Sequence, residues 1–398
     1  MNARRLAFAQ LANSIGDGAY YVTSALFFTT IVGLPAVRVG LALTVAWGIG
    51  ALAGVPIGAF ADRHGPRAVA VVLAVGTGAA VSAFLTVRSF WPFLAVLIVY
   101  ATCQSGLSAA RQALLAGLIS PADRTKARAR IQATSNAGIA VGAGIGGVAL
   151  SVGTETAYLA AFGMDAVAFA VAAVLLARVG RVEGTPTTGA KRLEVLRDKP
   201  YAALAGLNAV MLLTMPLLSV ILPLWIAQRT DAPKWMVAAL FVLNTGGVVL
   251  FQVRVARGVR TLTDAARYVR WAGVALAVSC GILALSGTWR GAWAAGLVLL
   301  AGAALQVVGE MLLAAGSWEI SFGLAPEGAQ GQYQGFYGTG VPVARMAGPG
   351  LLAVAVLEWG TPGWALLGAL FLAAGLATSP VARWAARTRR TGMVVATA

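Results

Sequence analysis

The chain is short of the residues that most catalytic and metal chemistry uses: one histidine, two cysteines, and 14 acids against 30 Lys and Arg in 398 residues. His64 has no Cys or second His beside it, so no metal site is expected. Cys103 and Cys280 stand far apart inside apolar stretches, which gives no disulfide framework. No His-x-x-x-Glu pair lies in an apolar run, and there is no Cys/His cluster and no phosphate-binding glycine loop. A membrane-embedded enzyme and an ATP-driven pump therefore both lack their chemistry, and no cofactor is expected. Charge itself is scarce, at 11% of residues against 59% hydrophobic, well outside ordinary globular usage.

Apolar stretches of bilayer-spanning length, ~20 residues, fill the space that charge leaves. They fall at 6–32, 37–61, 68–87, 90–119, 131–152, 156–177, 201–227, 235–253, 271–286, 292–322, 332–357 and 363–382. This pattern predicts an all-α integral membrane protein with twelve transmembrane helices. The longest loop, 178–200, divides them into two six-helix bundles, 1–183 and 201–398, joined by a linker at 184–200. The first stretch is too long for the apolar core of a cleavable signal peptide, so the chain is expected to keep it.

The basic balance is explained by where the charges sit. Arg38, Arg88, Arg229, Lys234 and Arg290 fall in one set of loops, Arg111 and Arg345 lie inside helices, and the remaining Lys and Arg occupy the alternate loops and the two ends. By the positive-inside rule this places both termini in the cytoplasm. Orientation and anionic lipid account for the charge, and no nucleic-acid partner is expected. Only Lys126, Lys191, Lys199 and Lys234 are lysines. The Arg and Ala bias suggests a GC-rich bacterial genome, hence a multi-pass protein of a bacterial cytoplasmic membrane.

The cytoplasmic turn between the second and third helices reads "GAFADRHGPR", residues 58–67. It resembles the signature loop of the major facilitator superfamily, Gly-x-x-x-Asp-Arg-x-Gly-x-Arg-Arg, through Gly58, Asp62, Arg63, Gly65 and Arg67. The resemblance implies the major facilitator fold, a monomer, and a gating role for this loop, which in the family latches the two halves in the outward-facing state. The pattern departs at Ala68, where a second arginine is usual. By the chemistry of the residues, Gly58 allows close approach to a neighbour, Asp62 can cap a helix end or pair with arginine, and Gly65 turns the chain.

The fifth helix carries "NAGIAVGAGIGG", residues 136–147, which is similar to the glycine pattern of drug:proton antiporters in that superfamily through Gly138, Gly142, Gly146 and Gly147. Ala143 stands where the pattern has proline, while the eleventh helix carries Gly348, Pro349 and Gly350. In the fourth helix Thr102 replaces the arginine the antiporters would have. Close packing through small residues is the alternative reading of these glycines. "LAPEGAQGQYQG" and "ISPADRTKARAR" look like equivalent elements of two repeats.

An ionised side chain at bilayer depth costs at least ~2.5 kcal/mol on insertion scales, so each one is a functional candidate. Glu310 lies about twelve residues from the cytoplasmic end of the tenth helix, roughly 18 Å at ~1.5 Å per residue, and is the expected proton-coupling group. Arg345 on the eleventh helix lies at similar depth and either pairs with Glu310 or faces substrate. Asp17, between Gly16 and Gly18, could carry a second proton or bind a cationic group, or fix packing by hydrogen bonds. Asp165 is expected to be structural, and Arg111 and Glu319 to form gate or interface pairs. Tyr20 is a candidate wall of an apolar ligand pocket. These features together predict proton-coupled export of an amphipathic small molecule, an antibiotic or natural product. The alternative is an importer or facilitator of a small nutrient on the same fold.

Overall fold

The computed structural model describes residues 2–184, 193–288 and 291–396, so residues 185–192 of the linker expected at 184–200 lie outside it. The described chain is all-helical. The helices are α1 (Asn2–Leu26), α2 (Ala36–His64), α3 (Pro66–Phe84), α4 (Phe90–Leu118), α5 (Pro121–Val152) and α6 (Glu155–Ala177). They continue as α7 (Lys199–Arg229), α8 (Met236–Ala256), α9 (Leu262–Leu285), α10 (Ala292–Gly323), α11 (Gln330–Glu358) and α12 (Thr361–Ala396). Among the described residues, eleven segments are long and apolar enough to cross a membrane.

Local chemistry sets the helix ends. Gly65 sits at φ 89°, a conformation that L side chains avoid, and Pro66 opens α3 with its fixed φ and missing N–H. The Asp198 carboxylate accepts from the Tyr201 N–H at 3.0 Å at the start of α7 and pairs with Arg389 at 2.7 Å. Two helices are interrupted where proline removes a backbone donor. α7 passes through a wider π-type turn at Leu217–Ile221 just after Pro216, and α11 does so at Ala353–Glu358 just after Pro349.

The chain divides into two compact units, Met1–Glu194 with Ala325–Pro342, and Val195–Leu324 with Val343–Ala398. In the first, α1 packs on α5 and α6, α3 packs on α4 and α6, and α2 packs on α4. The opening turns of α11, Gln330–Gly338, belong to this unit and lie against α2 and α4. In the second, α9 packs on α10 and α12, and α8 packs on α10.

Candidate functional site

In the first unit, α1 presents Gln10, Asn13, Ser14 and Asp17 at spacings that share one helix face. Asp17 is buried and accepts from Asn13 Nδ2 at 2.7 Å and from Gln104 Nε2 at 3.2 Å. Arg111 of α4 reaches the same face, donating to Gln10 Oε1 at 3.0 Å and Asn13 Oδ1 at 3.4 Å. Ser14 meets Ser135 of α5 at 2.7 Å. A buried carboxylate and a half-buried guanidinium thus share a network of neutral amides and hydroxyls. Beside them Tyr20 is buried in an aromatic layer, its ring centroid 5.4 Å from Tyr100 and 5.3 Å from Phe162.

In the second unit, Glu310 is half-buried on α10. Its Oε1 accepts from Thr214 Oγ1 of α7 at 3.0 Å and from Gln306 Nε2 at 3.1 Å, and its Oε2 accepts from Asn244 Nδ2 of α8 at 2.7 Å. Gln306 lies one helical turn before Glu310 and also donates to Thr214 Oγ1 at 3.2 Å. Both carboxylate oxygens are therefore anchored by neutral donors drawn from three helices. Arg345 is exposed on α11.

The turn at 58–67 is built by short contacts. Asp62 Oδ1 accepts from the Gly331 N–H at 2.6 Å and Oδ2 from the Gln332 N–H at 2.9 Å, so the carboxylate caps the start of α11. A Cβ on Gly58 would collide with the Gly331 carbonyl, and one on Gly331 with the Gly58 carbonyl. Arg67 donates to the Ala177 and Val179 carbonyls at 3.3 and 3.1 Å, closing the end of α6. Arg63 is half-buried, and its carbonyl lies against Gly184. On α5, Gly138, Gly142 and Gly146 face α1, whereas a Cβ on Gly147 would meet nothing within 4 Å.

The family model described as Major Facilitator Superfamily matches residues 6–349. The chain belongs to the major facilitator superfamily. Its members are transporters, not enzymes, and with eleven apolar spans among the described residues this is a multi-pass membrane protein. No curated protein matches the chain. Among solved structures it is similar to a bacterial homologue of the iron transporter ferroportin in the outward-facing state, with TM-score 0.75 and 18% identity over 97% of this chain and 100% of that one. It is also similar to the human organic anion transporter MFSD10 (TETRAN), with TM-score 0.69 and 17% identity over 95% and 98% of the two chains. A third likeness is to a POT family transporter in complex with a thioalcohol conjugated peptide, with TM-score 0.71 and 12% identity over 96% of each. At these identities the likeness is one of fold.

Glu310, Asp17 and Asp62 are legible in the sequence, and so is the capping of a helix end by Asp62, but the particular partners are not. Thr214, Asn244 and Gln306 were available as polar residues inside apolar runs, and Gln306 stands four residues before Glu310. Gly331 and Gln332 act through backbone N–H groups, which carry no side-chain signal.

Proposed function

We propose that this transporter is a proton-coupled exporter of an amphipathic small molecule, such as an antibiotic or natural product, working as a monomer by alternating access. α1, which carries Arg4, Arg5 and the polar face from Gln10 to Asp17, is taken as the twelfth span, with both termini cytoplasmic in a bacterial inner membrane. The alternating units of this reading are the two six-helix bundles, 1–183 and 201–398. The observation that carries the reading is the Glu310 cage. Its donors are a hydroxyl and two amides, so ionised Glu310 is held by accepting hydrogen bonds alone. Protonation turns one carboxyl oxygen into a donor: on Oε2 it opposes the Asn244 amide and breaks the link to α8, and on Oε1 it opposes the Gln306 amide and reverses the bond with the Thr214 hydroxyl, which can accept as well as donate. The proton thereby favours one arrangement of α7, α8 and α10, and substrate favours the other. Asp17 is the second candidate for protons, Arg345 and Asp17 supply charge toward substrate, and Tyr20 backs Asp17. The loop at 58–67 gates, and the Gly138 to Gly147 pattern supports export.

The test is a susceptibility panel in a bacterial host stripped of its own efflux pumps, comparing wild type with Glu310→Gln at matched expression. Wild type is expected to raise resistance to a subset of amphipathic antibiotics at least severalfold, and Glu310→Gln to return it to the level of the empty host. Resistance that survives in Glu310→Gln removes Glu310 from coupling. No resistance to any compound turns the reading to the importer of a small nutrient.

A further inference from the structure

Asp165 of α6 has a relative exposure of 0%, and neither carboxyl oxygen has a hydrogen-bond partner among the described residues. Its Oδ1 lies against Gly16 of α1. A Cβ on Gly16 would run into Asp165 Oδ1 and come within 2.8 Å of both the Asp165 Cα and the Ala168 Cβ. The titratable groups that act on it electrostatically include Asp17 and Tyr20 of α1 and Tyr100 of α4. The side chain of Arg111 is directed instead to Gln10 and Asn13 of α1. From α3 the only charged residue is Arg67, bound at the end of α6, and α5 carries its charges in the first ten residues, before Ile131.

An ionised carboxylate buried without a protein donor costs several kcal/mol, and a group so placed takes up a proton instead. A neighbouring acid, Asp17, adds to that cost. We propose that Asp165 holds a proton in this conformation and that its release to water parts α1 from α6 at Gly16. On release the O–H electron pair stays on the carboxylate, which then needs water or donors. Where Oδ1 lies against Gly16 there is room for neither, so solvation on that side requires the two helices to separate. Asp17 follows Gly16 in sequence, so the same movement displaces it and the network it shares with Asn13 and Gln104. Asp165 is thus a proton site beyond Glu310 and Asp17, in the unit that does not hold Glu310. Its purpose rests on the proton-coupled reading, but its test does not.

The experiment is infrared spectroscopy of the purified full-length chain in lipid nanodiscs, reading the C=O stretch of protonated carboxyl groups at neutral and alkaline pH. Wild type is expected to show a protonated-carboxyl band at neutral pH that Asp165→Asn loses. Asp17→Asn with Glu310→Gln, which keeps Asp165, must retain the band, and this variant decides the matter if Asp165→Asn does not fold. In a background with Cys103 and Cys280 replaced, spin labels at the exposed positions Phe8 and Val174 are expected to move apart over the pH range in which the band fades. A band that persists undiminished in Asp165→Asn, or that is missing from the double variant, overturns the assignment, as does a label distance that ignores its loss. Failure of the proton-coupled reading looks different: Glu310→Gln still transports while the Asp165 band is unchanged.

Discussion

Asp62→Ala is expected to release the opening turns of α11 from α2 and to raise amide exchange at Gly331 and Gln332 by about a hundredfold or more. Helix-opening N–H groups have no partner within their own helix, and Asp62 satisfies two of them with short charge-assisted bonds of 2.6 and 2.9 Å. Bonds of this kind contribute ~1.5–3 kcal/mol each. Losing both therefore costs about 3 kcal/mol or more, and each ~1.4 kcal/mol is tenfold in an equilibrium. The surface beneath makes the effect local. Gly54 and Gly58 of α2 meet Gly335 and Gly331 of α11 backbone to backbone, so two small-x-x-x-small faces touch without side chains to hold them. The Asp62 bonds stand at one end of that seam, next to Gly58. Hydrogen exchange by mass spectrometry over 330–338 reads the result. Asp62→Asn, which keeps one accepting oxygen, should fall between wild type and Asp62→Ala. Exchange that is unchanged in Asp62→Ala would mean that the glycine seam alone holds α11.

Much of this fold is written in the one-dimensional pattern of apolar runs, because bilayer thickness forces each span to a minimum length. The signature turn is equally legible: its acid, glycines and arginines occur at fixed spacing, and the family match over 6–349 agrees with what they suggested. The partners of the charged residues are less legible. Gln10, Asn13 and Asp17 could be read as one face from helical spacing, but their meeting with Gln104 and Arg111 depends on how α1 crosses α4. The cage around Glu310 depends in the same way on α7 and α8, and Thr214 lies where α7 leaves regular geometry. The isolation of Asp165 is invisible to sequence, since an acid in an apolar segment looks the same whether or not another helix offers a donor. That Asp62 caps a helix end is one of its two expected roles; that the helix is α11 is hidden.

The glycine pattern on α5 gives the other large effect, because its four members do not do the same thing. Gly142→Val is expected to abolish recovery of folded protein, while Gly147→Ala is expected to behave as wild type. A Cβ at 142 would collide with the Ile15 carbonyl of α1 and come within 3.0 Å of the Ala19 nitrogen. Backbone atoms cannot rotate away as a side chain can, so relief requires α1 to shift as a rod. That shift would also strain Gly138 against Ser14, Gly146 against Ala19, and the 2.7 Å contact of Ser14 with Ser135. Overpacking at a side-chain contact costs ~1–3 kcal/mol, and a backbone collision that moves a whole helix exceeds that range. Size-exclusion profiles and thermal unfolding of the purified variants check the first expectation. Gly147 has open space at its Cβ position, so packing gives no reason for glycine there. Gly147→Ala therefore separates the two meanings of the pattern. If it folds and transports as wild type does, contact with α1 accounts for the glycines of this helix. If it folds normally and loses export, the fourth glycine acts in transport beyond packing.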